Sequence, residues 1–280
     1  MSKRFTRRKG FTVIELVVAI AIVGMLAALL LPAVESARVS ARRLACMNHL
    51  RQMSLGLHLY HDAHACFPPG SYVMGPSFPT QSGWGWGAMI LPSVDQGPLY
   101  RQIDFRAGTA VGDNLDLIET SVPLWCCPSD IAEQSITVNC LDHPPFDLAS
   151  GNYCGSEGVL SEMSRVLIRD ITDGTSRTLL LGERLVQPGL DGSLPFTSAW
   201  CGQVAFADDY QYRSVPHLMP TRVHPINASE YDPSCFGSRH AGGANFAFAD
   251  GSIQFLNQNI DSVVFEAFGT AQGGEVLTLP

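Results

Sequence analysis

Eight cysteines have the most varied potential chemistry in this sequence, since a cysteine can form a disulfide, bind a metal or act as a nucleophile. No two of them have the C-x2-C spacing that is typical of a zinc knuckle. An even number favours disulfides in an exported protein, but about 105 complete pairings exist and spacing selects none of them. The eight are Cys46, Cys66, Cys126, Cys127, Cys140, Cys154, Cys201 and Cys235.

Three histidines on one predicted helix form a second candidate site. His58, His61 and His64 stand three residues apart, so neighbouring pairs could share a metal ion. His64 also falls on the apolar stripe of that helix, where a hydrogen-bonded core histidine is the commoner role. We therefore expect no metal here.

Acidic residues are the third group with potential chemistry. Asp170, Asp173 and Asp191 could join backbone carbonyls around calcium, but they follow no EF-hand pattern. Aspartates of this kind mainly form turns, so turn formation is our expectation, with calcium as the alternative and no other cofactor. The sequence contains no G-x-S-x-G elbow, H-E-x-x-H motif or Gly-rich phosphate loop, and we expect no enzymatic activity.

A hairpin is predicted near the C-terminus, with Asp250-Gly251 as a two-residue type I′ turn between residues 244–249 and 252–256. In that register Phe248 pairs with Ile253, and the apolar residues of both strands share one face.

His240 precedes this hairpin and could be read as a catalytic partner of Asp250. A strand of six residues, at about 3.3 Å each, places its far end roughly 20 Å from the turn. We therefore expect separate structural roles. Asp250 and Gly251 set the turn, and His240 fixes the loop entering the hairpin by hydrogen bonding.

An apolar run of 21 residues begins at Phe11. About 20 apolar residues span the hydrocarbon core of a bilayer as a helix, so the run predicts a transmembrane helix. Its one charge, Glu15, is costly in lipid and normally has a partner. Glu15 either reaches the headgroups or pairs with a cation from another subunit. Cleavage after Gly10 would create such a cation, the α-amine of Phe11.

The charge is unevenly distributed along the chain. Residues 1–10 carry five basic residues and no acid, and removing these five positive charges takes the net charge from −8 to −13. We expect no nucleic-acid partner, because phosphate binding needs a basic surface. A composition of 46% hydrophobic and 16% charged residues predicts a folded domain.

The string from Lys9 to Leu16, KGFTVIEL, resembles the class III signal of type IV prepilins and type II secretion pseudopilins. In that family a membrane peptidase cuts after the glycine, here Gly10, and methylates the new N-terminal phenylalanine, here Phe11. Glu15 and Pro32 match the family's glutamate and its frequent helix-bending proline. The resemblance implies that Phe11, Glu15 and Pro32 serve assembly.

The helical pattern resumes after Pro32 with a narrow apolar stripe, which should bury against a soluble domain. A Pro- and Gly-containing breaker at residues 66–70 ends the helix near His64. Short strands are predicted beyond it, including residues 84–91 and 178–181. The stripe consists of Cys46, Leu50, Met53, Leu57 and Tyr60.

The remainder resembles a large prepilin-like family marked by a C-terminal H-x9-DG motif, here His240, Asp250 and Gly251. It implies a pilin-like α+β fold in which a long N-terminal helix packs on a mainly antiparallel β domain. Cys154 and the doubled Cys126-Cys127 depart from the family pattern. Other matching segments are Ala41–Arg43 with Cys46, Leu59–Asp62 with His64, Phe67–Gly70, Leu91-Pro92, Gln96–Tyr100, Cys127–Asp130, Asp173–Ser176 and Gly182-Glu183.

The resemblance also supplies a first expected disulfide. Cys46 lies on the stripe that faces the domain and Cys127 lies in a family segment, so we expect a Cys46–Cys127 bridge, one of at least two.

Four regions follow: a cleaved basic leader (1–10), a transmembrane helix (11–32), its amphipathic continuation (33–64) and an extracytoplasmic globular domain (65–280). The leading hypothesis is a pilin or pseudopilin subunit in the inner membrane that assembles through its helix into a type IV pilus or type II secretion pseudopilus. Its expected partners are prepilin peptidase, other pilin subunits, the inner-membrane platform of the secretion or pilus system and the bilayer. The alternative is a membrane-anchored extracytoplasmic binding protein that does not polymerise.

Overall fold

A computed structural model describes residues 12–72, 83–130, 135–138, 144–186, 197–207, 212–215, 218–221, 225–228 and 235–274. The chain falls into two compact units, Met1–Arg42 and Arg43–Pro280. Gly10, Phe11, Cys140 and Asp191 lie outside the described residues.

The first unit holds the beginning of helix α1, which spans Val13–His64 with Pro32 inside it. Among the described residues, α1 is the helix that is long and apolar enough to cross a membrane. Its apolar side chains in this unit, such as Ile20 and Leu29, are more than half exposed. They are not buried within their own chain, as expected of a segment whose natural surroundings are lipid or other subunits.

The second unit begins with the remainder of α1, and the predicted stripe is its buried face. Cys46, Leu50, Met53 and Leu57 are fully buried, while Tyr60 is half-buried. The helix ends at His64, as predicted, and the next residue, Ala65, takes a left-handed conformation with φ of 59°.

The described strands of this unit are β1 (Gly83–Trp84), β2 (Ser135–Val138), β3 (Phe146–Ala149), β4 (Tyr153–Ser156), β5 (Leu179–Glu183), β6 (Gly202–Ala207), β7 (Tyr212–Val215), β8 (Leu218–Met219), β9 (Gly243–Phe248) and β10 (Ile253–Asn257). A five-stranded sheet forms the centre of the unit, in the order β10-β9-β5-β4-β8. Its pairs are antiparallel except for β4 with β8. A three-stranded sheet, β1-β6-β7, and a two-stranded sheet, β2-β3, accompany it.

Short helices connect these strands. They are α2 (Trp86–Ile90), α3 (Gly97–Tyr100), α4 (Asn114–Ile118) and α5 (Ser262–Phe268), with 3-10 turns at Leu91–Val94, Pro123–Trp125 and Ile168–Asp170. The architecture is α+β, a long N-terminal helix followed by a domain rich in antiparallel strands. The larger hydrophobic core includes the buried face of α1, and a smaller aromatic core lies between β9 and α5.

The strand predicted at residues 84–91 is wrong beyond Gly85, because Trp86–Ile90 forms α2. Gly85 is still extended: it pairs with Ser71 in an isolated bridge, and its N–H donates to the Cys201 carbonyl. Nearly every residue of α2 is buried. A short run that is apolar on all sides has no periodicity that separates a buried helix from a buried strand.

The predicted hairpin is present as β9 and β10, but its predicted register is wrong by one residue. Ile253 pairs with Ala247 rather than Phe248. Of the turn residues, Gly251 has a positive φ, 84°, and Asp250 does not, whereas a type I′ turn needs both. The connection is therefore a three-residue loop, closed by the Phe248 N–H donating to the Ser252 carbonyl at 2.9 Å.

This register places the apolar residues of the hairpin on two faces instead of one. Phe246 and Phe248 pack edge-to-face on Phe265 and Phe268 of α5. The ring of Phe255 lies on the other face, beneath the Arg43 guanidinium. A slip of one residue turns every side chain of a strand to the opposite face.

Candidate functional site

The N-terminal end of α1 is capped by reciprocal hydrogen bonds between Thr12 and Glu15. The Glu15 carboxylate accepts from the Thr12 N–H at 2.9 Å and from the Thr12 hydroxyl at 2.7 Å. The Glu15 N–H donates in return to the Thr12 hydroxyl at 3.4 Å. This is a capping box. The Thr12 N–H belongs to the peptide bond with Phe11, so a cut between Gly10 and Phe11 would leave it intact.

A disulfide joins α1 to the segment that follows the 3-10 turn Pro123–Trp125. It links Cys46 with Cys127, whose Cα atoms are 5.5 Å apart, and it confirms the expected bridge. Both cysteines are buried, with exposures of 0% and 7%. The covalent link closes a loop across a sequence separation of 81 residues.

A histidine and a carboxylate lie directly against this disulfide. His240 Nε2 is 3.3 Å from Glu183 Oε1 and 3.9 Å from Cys127 Sγ. Both side chains are almost completely buried, at 3% and 1% exposed. Among the described residues, Cys46, Cys127, Glu183 and His240 form the cluster that could hold a metal, with their ligand atoms all within 4.8 Å of one another.

The Glu183 carboxylate accepts hydrogen bonds from Asn245 of β9. The Asn245 N–H donates to Oε2 at 2.7 Å, and the Asn245 side-chain amide donates to Oε1 at 2.9 Å. The pairing of β5 with β9 brings these residues together. Both carboxylate oxygens therefore have a donor before any ligand is considered.

Backbone contacts fix the other members of the cluster. The Cys127 N–H donates to Asn152 Oδ1 at 2.8 Å, and the Asn152 amide donates to Asp130 at 2.7 Å. The His240 N–H donates to the Ser238 hydroxyl at 3.1 Å, and that hydroxyl donates to the Gly243 carbonyl at 2.7 Å. The loop before β9 is thus held through the backbone of His240, while its imidazole reaches Glu183 and Cys127.

Tyr153 borders the cluster with its hydroxyl 3.3 Å from His49 Nδ1. Burial, together with the nearby Glu183 carboxylate, raises the pKa of Tyr153 well above its ordinary value. Burial also lowers the pKa of His49. Both groups therefore favour their neutral forms at neutral pH, which suits a hydrogen bond between uncharged partners.

The turn of the β9–β10 hairpin lies elsewhere, against α1. A Cβ added at Gly251 would stand 3.6 Å from His58 Nε2 and 3.9 Å from Ser54 Oγ. Asp250 donates its N–H to the Thr175 carbonyl at 3.0 Å and accepts the Ser252 N–H at 2.9 Å. The contacts of Asp250 are therefore turn contacts, and those of His240 belong to the disulfide cluster.

The three helix histidines have separate surroundings. His58 packs edge-to-face on Phe67, and His61 Nε2 accepts the Ile168 N–H at 3.3 Å. His64 is exposed, stacks on Tyr60 at 4.0 Å between ring centroids and contacts the Tyr60 carbonyl through Nδ1. The expected hydrogen bond of His64 is present but its expected core position is wrong, because the helix ends there.

The two described aspartates of the calcium hypothesis bind backbone groups. Asp170 accepts the Leu167 N–H at 3.1 Å. Asp173 accepts the Gly273 and Gly274 N–H groups at 2.7 and 2.9 Å, so it anchors the loop after α5. These are the turn and loop contacts that the sequence favoured, and calcium binding stays a prediction.

Several other cysteines are thiols in this structure, namely Cys66, Cys126, Cys154 and Cys201. Burial raises the pKa of Cys201 to about 12 and also raises that of Cys154. Both are therefore protonated and weakly reactive at neutral pH. The expected second disulfide stays a prediction, since Cys140 lies outside the described residues.

Two family models match the chain. The model of the prokaryotic N-terminal methylation motif matches residues 5–31, and a model described as protein of unknown function, DUF1559, matches residues 35–263. The second match covers most of the chain. The protein belongs to the DUF1559 family. No curated protein and no solved structure gives a significant match.

The two matches cover different parts of this DUF1559 chain. The methylation motif includes Gly10, Phe11 and Glu15, and it indicates pilin-like processing and assembly. That motif implies processing by a prepilin peptidase and assembly with other pilin subunits. The DUF1559 match includes Cys46, Cys127 and the hairpin.

Three residues with functional contacts, Thr12, Glu183 and Asn245, were not predicted from the sequence. The Thr12-x-x-Glu15 spacing is a capping-box signature and could have been recognised. Glu183 was noted only as part of a family segment, and Asn245 not at all. No local pattern marks Glu183 and Asn245, because they meet through the pairing of β5 with β9.

Proposed function

We propose that this protein is a structural subunit of a type IV pilus or a type II secretion pseudopilus, inserted in the inner membrane with its DUF1559 domain outside the cytoplasm. The observation that carries the proposal is an N-terminal methylation motif on a helix whose apolar side chains are exposed. The proposal assigns no catalysis to the domain and includes the inner-membrane assembly platform as a partner.

The exposed apolar helix supports this proposal on energetic grounds. In the 18-residue stretch of α1 that is apolar enough to cross a membrane, none of the residues is buried within the chain. Such a surface is stable in lipid or packed against like helices, but not in water. A prepilin helix moves from the first environment to the second when it enters a filament.

Glu15 supports assembly if its charge has a partner beyond its own chain. Its cap on Thr12 uses hydrogen bonds from neutral groups, so the cap itself supplies no counter-ion for the negative charge. The α-amine of Phe11 in a neighbouring subunit would supply one. Glutamine can also serve in a capping box, and the exchange of Glu15 for Gln therefore separates the cap from the charge.

The test is photo-crosslinking in native membranes. A photoreactive amino acid replaces Leu29, which is 65% exposed, in the wild type and in the Glu15→Gln and Glu15→Ala variants. We expect ladders of the protein with itself or with other pilins in the wild type. Both variants should insert and be cleaved normally but give weaker ladders.

Three outcomes would contradict this account. If the wild type gives only monomers and no ladder, assembly is refuted and an anchored binding protein is favoured. Normal ladders with Gln and weak ladders with Ala would show that the capping box, not the charge, accounts for Glu15. Normal ladders in both variants would show that Glu15 is not needed for assembly, and its carboxylate would then reach the lipid headgroups instead.

A further inference from the structure

The buried cluster around the disulfide contains the ligand types of a zinc site. Two cysteine sulfurs, one imidazole nitrogen and one carboxylate oxygen lie within 4.8 Å of one another. They come from α1, the segment after Pro123–Trp125, the end of β5 and the loop before β9. Zn²⁺ binds these three kinds of atom, most often with tetrahedral geometry.

The distances from His240 to two of the other ligand atoms are close to those of a tetrahedral site. Zinc bonds of about 2.3 Å to sulfur and about 2.0 Å to nitrogen or oxygen put ligand atoms about 3.3 Å apart for N and O, and about 3.6 Å for S and N. His240 Nε2 is 3.3 Å from Glu183 Oε1 and 3.9 Å from Cys127 Sγ. The two sulfurs, which are bonded to each other, must move apart to about 3.8 Å.

We propose that reduction of the Cys46–Cys127 disulfide converts this cluster into a site for one Zn²⁺, bound by both thiolates, His240 Nε2 and a Glu183 carboxylate oxygen. A dithiol reductant gives two electrons and two protons to the disulfide and becomes a disulfide itself. Zn²⁺ then displaces one proton from each cysteine thiol. The chain also passes through this dithiol form before its own bridge is made.

The groups around the cluster already orient its ligands. Asn245 donates to both oxygens of Glu183, as outer-shell groups do for zinc carboxylates. Asn152 holds the Cys127 backbone and Ser238 holds that of His240. A site whose ligands are held in place before the metal arrives needs little rearrangement on binding.

Disulfide and zinc exclude each other, because each uses both sulfurs. Either form joins α1 to the segment around Cys127, so each can preserve the packing of the helix on the domain. The cluster would therefore keep this connection in both oxidising and reducing conditions. This inference does not depend on assembly into a filament.

The test uses the full-length chain in detergent, with and without reduction by a phosphine, which does not compete for zinc as a thiol does. Zinc binding is measured by competition with a chromophoric chelator. We expect one Zn²⁺ for each reduced chain and none for the oxidised chain. Co²⁺ in place of zinc should give the visible bands of a tetrahedral thiolate site.

Variants identify the ligands. His240→Asn and Glu183→Gln should each weaken binding at least as much as the about 10–100-fold that loss of an outer-shell partner costs. Cys126→Ser is the matched control, since Cys126 is a thiol beside Cys127, and it should bind zinc as the wild type does.

X-ray absorption of the zinc-loaded wild type keeps the test independent of how well the variants fold. A shell of two sulfurs and two nitrogen or oxygen atoms supports the site. A shell without sulfur, or with more than two, refutes it. The proposal also fails if reduced protein binds no zinc, or if His240→Asn and Glu183→Gln leave the affinity unchanged.

Discussion

Loss of the Cys46–Cys127 disulfide should strongly lower the stability of the second unit. The bridge closes a loop across 81 residues, and the chain-entropy relation for a loop of that length gives about 4.5 kcal/mol at 25 °C. For a unit of 150–250 residues, each kcal/mol shifts the melting temperature by about 2–4 °C. The Cys46→Ala/Cys127→Ala variant should therefore melt about 9–18 °C below the wild type.

Tryptophan fluorescence is a suitable signal for this measurement. Trp84, Trp86, Trp125 and Trp200 are each 1% exposed, so unfolding transfers all four from the core to solvent. The full-length chain is melted in detergent with a zinc chelator present, so that only the covalent link differs. Urea titration of the same samples gives the free energy of unfolding directly.

The matched control for this experiment is Cys126→Ala. Cys126 is next to Cys127, is half-buried and forms no disulfide in the structure, so its removal should lower the melting temperature far less. If the melting temperature of the double variant falls by less than about 3 °C, or by no more than that of Cys126→Ala, the bridge does not restrict the unfolded chain to the extent that loop-closure entropy predicts. The estimate of its contribution would then be wrong.

Three further predictions concern processing, the hairpin and pH. Intact mass of the membrane-extracted protein should correspond to a chain beginning at N-methylated Phe11, and retention of residues 1–10 where prepilin peptidase is active would refute this. Gly251→Val should lower the melting temperature strongly, because φ is 84° there and a β-branched residue resists positive φ. Asp250→Asn should be mild because asparagine can also accept the Ser252 N–H, and an equal loss in both variants would contradict the turn geometry. Burial lowers the pKa of His49 and His58 below 6.5, so the unfolded chain binds protons more readily and stability should fall as pH drops below about 6.5. A His49→Gln/His58→Gln variant should flatten this dependence, measured as melting temperature at pH 7.5 and 5.5, and an unchanged slope would exclude these histidines as its cause.

Local patterns were sufficient for the helix and for much of the family assignment. The apolar run, its single Glu15 and the following stripe depend on residues close together in the chain, and α1 ends at His64 as predicted. The Cys46–Cys127 pair was also expected, but from the resemblance to a family and not from spacing. The hairpin was recognised, although not its register, because a three-residue loop and a two-residue turn both suit an Asp-Gly pair.

Residues 1–64 could be interpreted from sequence, since a membrane-spanning helix and a processing motif are local properties of consecutive residues. The surroundings of the disulfide, in contrast, follow from contacts between distant parts of the chain. Glu183 and Asn245 stand 62 residues apart and meet because β5 pairs with β9, while His240 reaches them from a loop. These long-range contacts place an imidazole, a carboxylate and two sulfurs within 4.8 Å of one another. That arrangement depends on long-range strand pairing, which the periodicity of a single chain does not encode.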